Sequence, residues 1–130
     1  MNSREIDVYK RIWLISGIVI EANTFTPLKN LSVLAFDFDG LLGDDCLGEG
    51  FTDEEGRYCI IFTWDDHKHL LPFQPDVYVK VYSEYGSLLK DTRNEVTRTM
   101  LYRKTIDIEI NMNNEGALCL PIDYFLEMAS

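Results

Sequence analysis

Residues 76–83 read DVYVKVYS, in which Val77, Val79 and Val81 alternate with Tyr78, Lys80 and Tyr82. A period of two puts the valines on one face of an extended chain and the larger residues on the other, the pattern of a half-buried β-strand. The same period recurs along the chain. Tyr58, Ile60, Phe62 and Trp64 alternate with Cys59, Ile61 and Thr63, while Leu31, Val33 and Ala35 alternate with Ser32, Leu34 and Phe36. Both faces of that second run are largely apolar, which predicts a central strand. Residues 12–22, rich in β-branched side chains around Gly17, form a first strand. Tyr85-Gly86 turns the chain into a short strand at 87–90. Residues 96–112 are long enough for one bent strand or two, ending with Ile106, Ile108 and Ile110 against Asp107, Glu109 and Asn111. No run before residue 112 has a capped 3.6-residue period. The spacing therefore predicts an all-β fold, an antiparallel β-sandwich of seven to eight strands.

Length and composition agree with one compact domain. The 130 residues suffice for a single core, and 46% hydrophobic with 26% charged residues is a globular balance. Residues 1–11 read as a polar leader, 12–112 as the sandwich, and 113–130 as a tail or short docking helix. In that tail Pro121 suits a first helical position and Ile122, Phe125 and Leu126 share a face. The 22 acidic against 12 basic residues, a net charge of −10, exclude a phosphate-binding nucleic-acid surface and favour cationic partners or metal ions. Cys46, Cys59 and Cys119 lack metal-ligand spacing and are odd in number. With no cleavable apolar leader and no membrane-length apolar run, the expectation is a reduced, cytoplasmic protein.

Three clusters carry potential chemistry. Asp37, Asp39, Asp44, Asp45 and Asp53 lie in the acidic, glycine-rich stretch at 37–58, between two strongly β-patterned runs. Their carboxylates can supply oxygens to Ca²⁺, although the spacing is not that of an EF-hand. The competing reading is a solvated rim whose aspartates cap turn amides. His67 and His69, with Asp65 or Asp66, offer a ligand set for iron or zinc, or are simply exposed loop residues. Tyr78, Lys80, Tyr82 and Tyr85 form an aromatic and cationic stripe suited to a carbohydrate or protein surface, to cross-strand pairing, or to edge pairing with a second copy. Cys46 and Cys59 have no histidine nearby in sequence, so no nucleophile constellation is visible.

The ordered segments PLKNLSVLAFDFD, DDCLGEGFTDEEGRY and PDVYVKVYSEYGSLLKDT resemble the transthyretin-like (prealbumin-like) group of β-sandwich domains. The resemblance runs from about Trp13 to Thr92. Its T-D-x-x-G-x-[YF] turn, here Thr52 to Tyr58, is shared with carboxypeptidase regulatory-like domains. The resemblance implies a two-sheet sandwich of seven or eight strands, most often non-catalytic. Intradiol ring-cleavage dioxygenases carry a similar turn, but their H-x-H pair lies on the strand where this chain has Val77 and Val79. Hydroxyisourate hydrolases need a histidine near the amino end and a Y-R-G-S terminus, whereas this chain has no histidine before His67 and ends in LEMAS. The expectation is therefore a non-catalytic, cofactor-free binding or assembly module without membrane or nucleic-acid partners. It would act through an acidic loop end or an exposed sheet face or edge, on a protein partner or a second copy. A metal-dependent enzyme using His67 and His69 and a calcium-stabilised carbohydrate module are the alternatives.

Overall fold

The computed structural model describes residues 10–39, 43–65, 74–98 and 100–112. Among these residues eight strands form two four-stranded sheets. Strands β1 (Lys10–Glu21), β2 (Ser32–Asp37), β3 (Asp45–Phe51) and β4 (Arg57–Asp65) are followed by β5 (Val77–Tyr82) and β6 (Leu88–Asp91). A 3-10 turn at Arg93–Glu95 precedes the short strands β7 (Arg103–Thr105) and β8 (Ile108–Ile110). One sheet has the order β3-β2-β5-β6 and is antiparallel throughout, with β2 internal, as two apolar faces require. In the other, β4 pairs antiparallel with β1, while β7 and then β8 run parallel to β1 along its opposite side. Among the described residues no helix is long and apolar enough to cross a membrane.

The predicted faces meet in one core. Trp13, Ile15 and Val19 of β1, Tyr58, Ile60, Phe62 and Trp64 of β4, and Ile108 and Ile110 of β8 line one sheet. Against them pack Val33, Ala35, Val77, Val79, Val81 and Leu89 from the other. Along the side where β3 passes β4 the sheets approach closely. An ideal Cβ at Gly50 would sit 3.0 Å from the Cys59 carbonyl carbon, and one at Gly48 the same distance from Ile60 Cγ2. The glycines of this stretch therefore let two backbones close one side of the sandwich.

Gly17 solves a second problem of approach. It pairs with Tyr58 of β4 on one side of β1, while Ile106 and Asp107 link β7 to β8 on the other. The Tyr58 ring reaches across the glycine so that its hydroxyl donates to the Ile106 carbonyl at 2.5 Å. The Ile106 amide donates to Ser16, and the Ile18 amide donates to Asp107 Oδ1 at 3.0 Å. Burial, reinforced by Asp107, pushes the Tyr58 pKa upward, so the phenol remains a donor. Residues 96–112 thus resolve into two short strands joined over Gly17. Of the leader expected at 1–11, Lys10 and Arg11 belong to β1, and residues 1–9 and the tail at 113–130 lie outside the described residues.

Candidate functional site

The carboxylates of the acidic stretch fall into two groups held apart by β3. Asp37 and Asp45 are cross-strand partners at one end of the β2-β3 pair. Asp44 accepts from the Asp39 amide through Oδ1, and from Arg93 Nε (2.9 Å) and the Tyr78 hydroxyl (2.5 Å) through Oδ2. The hydrogen bonds from Arg93 and then Tyr78 hold its pKa well below the ordinary carboxylate range. Arg93 and Arg98 also lie against the Phe38 ring, at 4.3 and 4.8 Å from its centroid. Arg98 pairs with Asp76, whose own amide donates to Asp37.

Asp53 sits beyond the far end of β3, a strand that spans about 20 Å at the usual rise per residue. There Asp53 Oδ1 caps the amides of Glu55 and Arg57, in a turn completed by Gly56 at φ +75°. The five aspartates expected to surround a calcium ion are therefore not brought together. Among the described residues no group of three or more His, Cys, Asp and Glu side chains is placed to hold a metal. Asp37 is distinctive in another way: burial raises its pKa, and the neighbouring carboxylates of Asp76, Asp45 and Asp39 add to the effect. The amide of Asp76 works against that rise without cancelling it.

The tyrosine stripe is divided in use. Tyr78 points away from the core valines, yet it is only 2% exposed. It stacks on Phe36 and its hydroxyl is held by Asp44; burial first, then Asp44, pushes its pKa up to about 12. Lys80 lies over the other aromatic of this pair, with Nζ 5.0 Å from the Phe36 centroid. Tyr82 is half-buried, and Tyr85 stands out in the β5-β6 turn. Tyr78 is thus an anchor for the acidic end and is not available as a contact residue. His67, His69 and Asp66 lie outside the described residues, and Asp65 is the last residue of β4.

Two surfaces not singled out by the sequence emerge from the strand pairing. The outer face of the β4-β1 pair carries Ile12, Leu14, Ser16, Ile18 and Ile20 beside Thr63, Ile61, Cys59 and Arg57. Ile12 is 67% exposed, Ile61 64% and Ile18 38%. The second surface is an open groove of about 490 Å³ on the side of the sandwich opposite the β3-β4 closure. Lys90, Thr92 and Thr97 line one wall, and Lys104, Ile106 and Ile108 the other. Cys46 and Cys59 are both free and exposed.

No protein family matches this chain, and no curated protein matches it. Among solved structures, the chain is similar to a 9R-lipoxygenase from Cyanothece PCC8801, with 22% identity and a TM-score of 0.49. The match covers 75% of this chain and 16% of the lipoxygenase.

Proposed function

We propose that this domain is a non-catalytic binding or assembly module, transthyretin-like in kind, whose contact surface is the outer face of the β4-β1 pair. The observation that carries this reading is the exposure of Ile12, Ile18 and Ile61 on one largely apolar stretch of sheet, where the charged residue beside Ile18 is Arg57, ion-paired with Glu55, in a chain of net charge −10. A solvated sheet face ordinarily carries polar residues in the outward positions, and contiguous exposed apolar residues mark contact sites. Covering the two most exposed isoleucines would contribute about 1–2 kcal/mol each, scaled from full burial of such side chains. By contrast, Asp44 and Asp76 of the acidic end are engaged by Arg93 and Arg98. A strand-adding partner at the groove is a second reading, favoured by β6 and β7-β8 each pairing on one side only among the described residues.

Cys59 lies on the proposed surface and Cys46 on β3, so the two thiols provide a probe and its internal reference. Cells producing the chain are treated with a permeant maleimide and labelling at each cysteine is read by peptide mass spectrometry. Cys59 should label several-fold more slowly than Cys46, and Ile61→Arg should abolish that protection. Equal labelling of both thiols in cells would refute the reading.

A further inference from the structure

The charges that flank the apolar face are arranged in an order that a second copy can satisfy. On the β7-β8 side, Arg103 is level with Leu14 and Glu109 is level with Ile20. Paired residues on neighbouring strands project to the same face, so both side chains stand beside the outer row of β1. Six residue steps along β1 separate them, about 20 Å at the rise of an extended chain. Both are exposed, and among the described residues neither belongs to an ion pair. Between them the outer positions of β1 and β4 offer Leu14, Ser16, Ile18, Ile20, Cys59 and Ile61, together with Arg57, and no acidic residue.

We infer that the occupant of this face is a second copy of the chain, packed sheet to sheet about a two-fold axis that runs across the strands. This rests on the reading of the face as a contact surface. Such an axis reverses strand direction while leaving β7-β8 over β7-β8. With the axis at Gly17, midway between them, the level of Leu14 meets the level of Ile20, so Arg103 of each copy faces Glu109 of the other, twice per dimer. Packed sheets lie about 10 Å apart, a gap that one arginine and one glutamate bridge together. The match is self-complementary, as a two-fold interface must be. Overall charge selects the same surface: two chains of net charge −10 repel, and on the β4-β1 face they can meet over largely apolar side chains, with Arg57 already paired to Glu55.

The test is sedimentation velocity of the full chain across the micromolar range, at low and high salt, with a charge-exchange set. Wild type should pass from monomer to dimer with rising concentration. Arg103→Glu replaces two attractive contacts with two repulsive ones, and so does Glu109→Arg. Each should weaken dimerisation about ten- to thirtyfold, from the usual worth of exposed ion pairs. The double variant R103E/E109R should restore it, because only a reciprocal contact is repaired by exchanging both partners. Thermal melts of these variants confirm that each remains folded. A wild-type monomer at every concentration overturns the inference, as does a dimer indifferent to either reversal or not restored by the exchange. A monomer in solution whose Cys59 is nevertheless protected in cells would place a different partner on the face. That outcome refutes the second copy while leaving the contact surface standing.

Discussion

Replacing Gly17 by alanine tests the most demanding piece of backbone geometry in the sandwich. The added Cβ would lie 2.7 Å from the Ile106 carbonyl carbon, closer still to its oxygen, and 3.1 Å from Asp107 Oδ1. Backbone on both sides must therefore move. Three hydrogen bonds depend on the present spacing: Tyr58 hydroxyl to Ile106, Ile106 amide to Ser16, and Ile18 amide to Asp107. At about 1 kcal/mol net apiece their loss costs about 3 kcal/mol, offset by less than about 1 kcal/mol from stiffening the unfolded chain. A net destabilisation of about 2–3 kcal/mol should appear in urea unfolding as a lower midpoint at unchanged slope. For a chain of this size the melting temperature should fall by about 6–15 °C. Tyr58→Phe should cost about 1 kcal/mol alone, and less in the G17A background, because both changes act through one contact. A G17A variant within about 0.5 kcal/mol of wild type, or strict additivity with Y58F, would refute the account of β7 and β8 being joined over the glycine.

Further predictions concern the acidic end. Asp44 has a folded-state pKa depressed by Arg93 and Tyr78, so its stabilising contribution is complete above the unfolded pKa and is lost as pH falls through the folded value. Asp44→Asn should lower the melting temperature at neutral pH, and the difference from wild type should shrink toward strongly acid conditions. Asp37 has the opposite sign: its raised pKa makes ionisation unfavourable to folding, so stability falls as pH rises through its folded value. Asp37→Asn keeps an oxygen for the Asp76 amide and should raise the neutral-pH melting temperature, an advantage that disappears below about pH 4, the ordinary range for this carboxyl. Millimolar Ca²⁺ added to chelator-treated protein should leave the melting temperature unchanged, since the five aspartates do not converge. A shift that vanished in Asp37→Asn or Asp39→Asn would restore a calcium site.

Strands were legible in this sequence because burial imposes a period of two wherever one face meets the core. Val77, Val79 and Val81 are fully buried as their alternation requires, and Gly56 takes the positive φ that its turn position demands. Parity alone could not choose the inner face of β1, where Trp13, Ile15 and Val19 alternate with Ile12, Leu14, Ile18 and Ile20 and both sets are apolar. The choice is made by tertiary pairing: β4 is in register with β1, so the face shared with Tyr58, Ile60 and Phe62 becomes the core. The opposite row, shared with Cys59, Ile61 and Thr63, is left in solvent. The role of Tyr78 was hidden for a related reason. Its partners Asp44 and Phe36 lie 34 and 42 positions away and meet it only once β2 and β5 pair.

Arg93 and Arg98 show how charge can mislead a sequence reading about where contact occurs. A dense run of aspartates attracts attention as a ligand set, but a carboxylate partly withdrawn from water needs a cation or amide donors, and the chain supplies both. Asp44 takes Arg93, Asp76 takes Arg98, and Phe38 lies against both guanidinium groups. These interactions fasten the segment after β2 to the segment after β6, making the acidic end a clasp between the two ends of one sheet. A partner binding there would have to displace charge-assisted hydrogen bonds already formed. At the β4-β1 face it would displace mainly water from isoleucine. The energetic contrast separates the two surfaces: the charged one closes the fold, and the largely apolar one is left exposed.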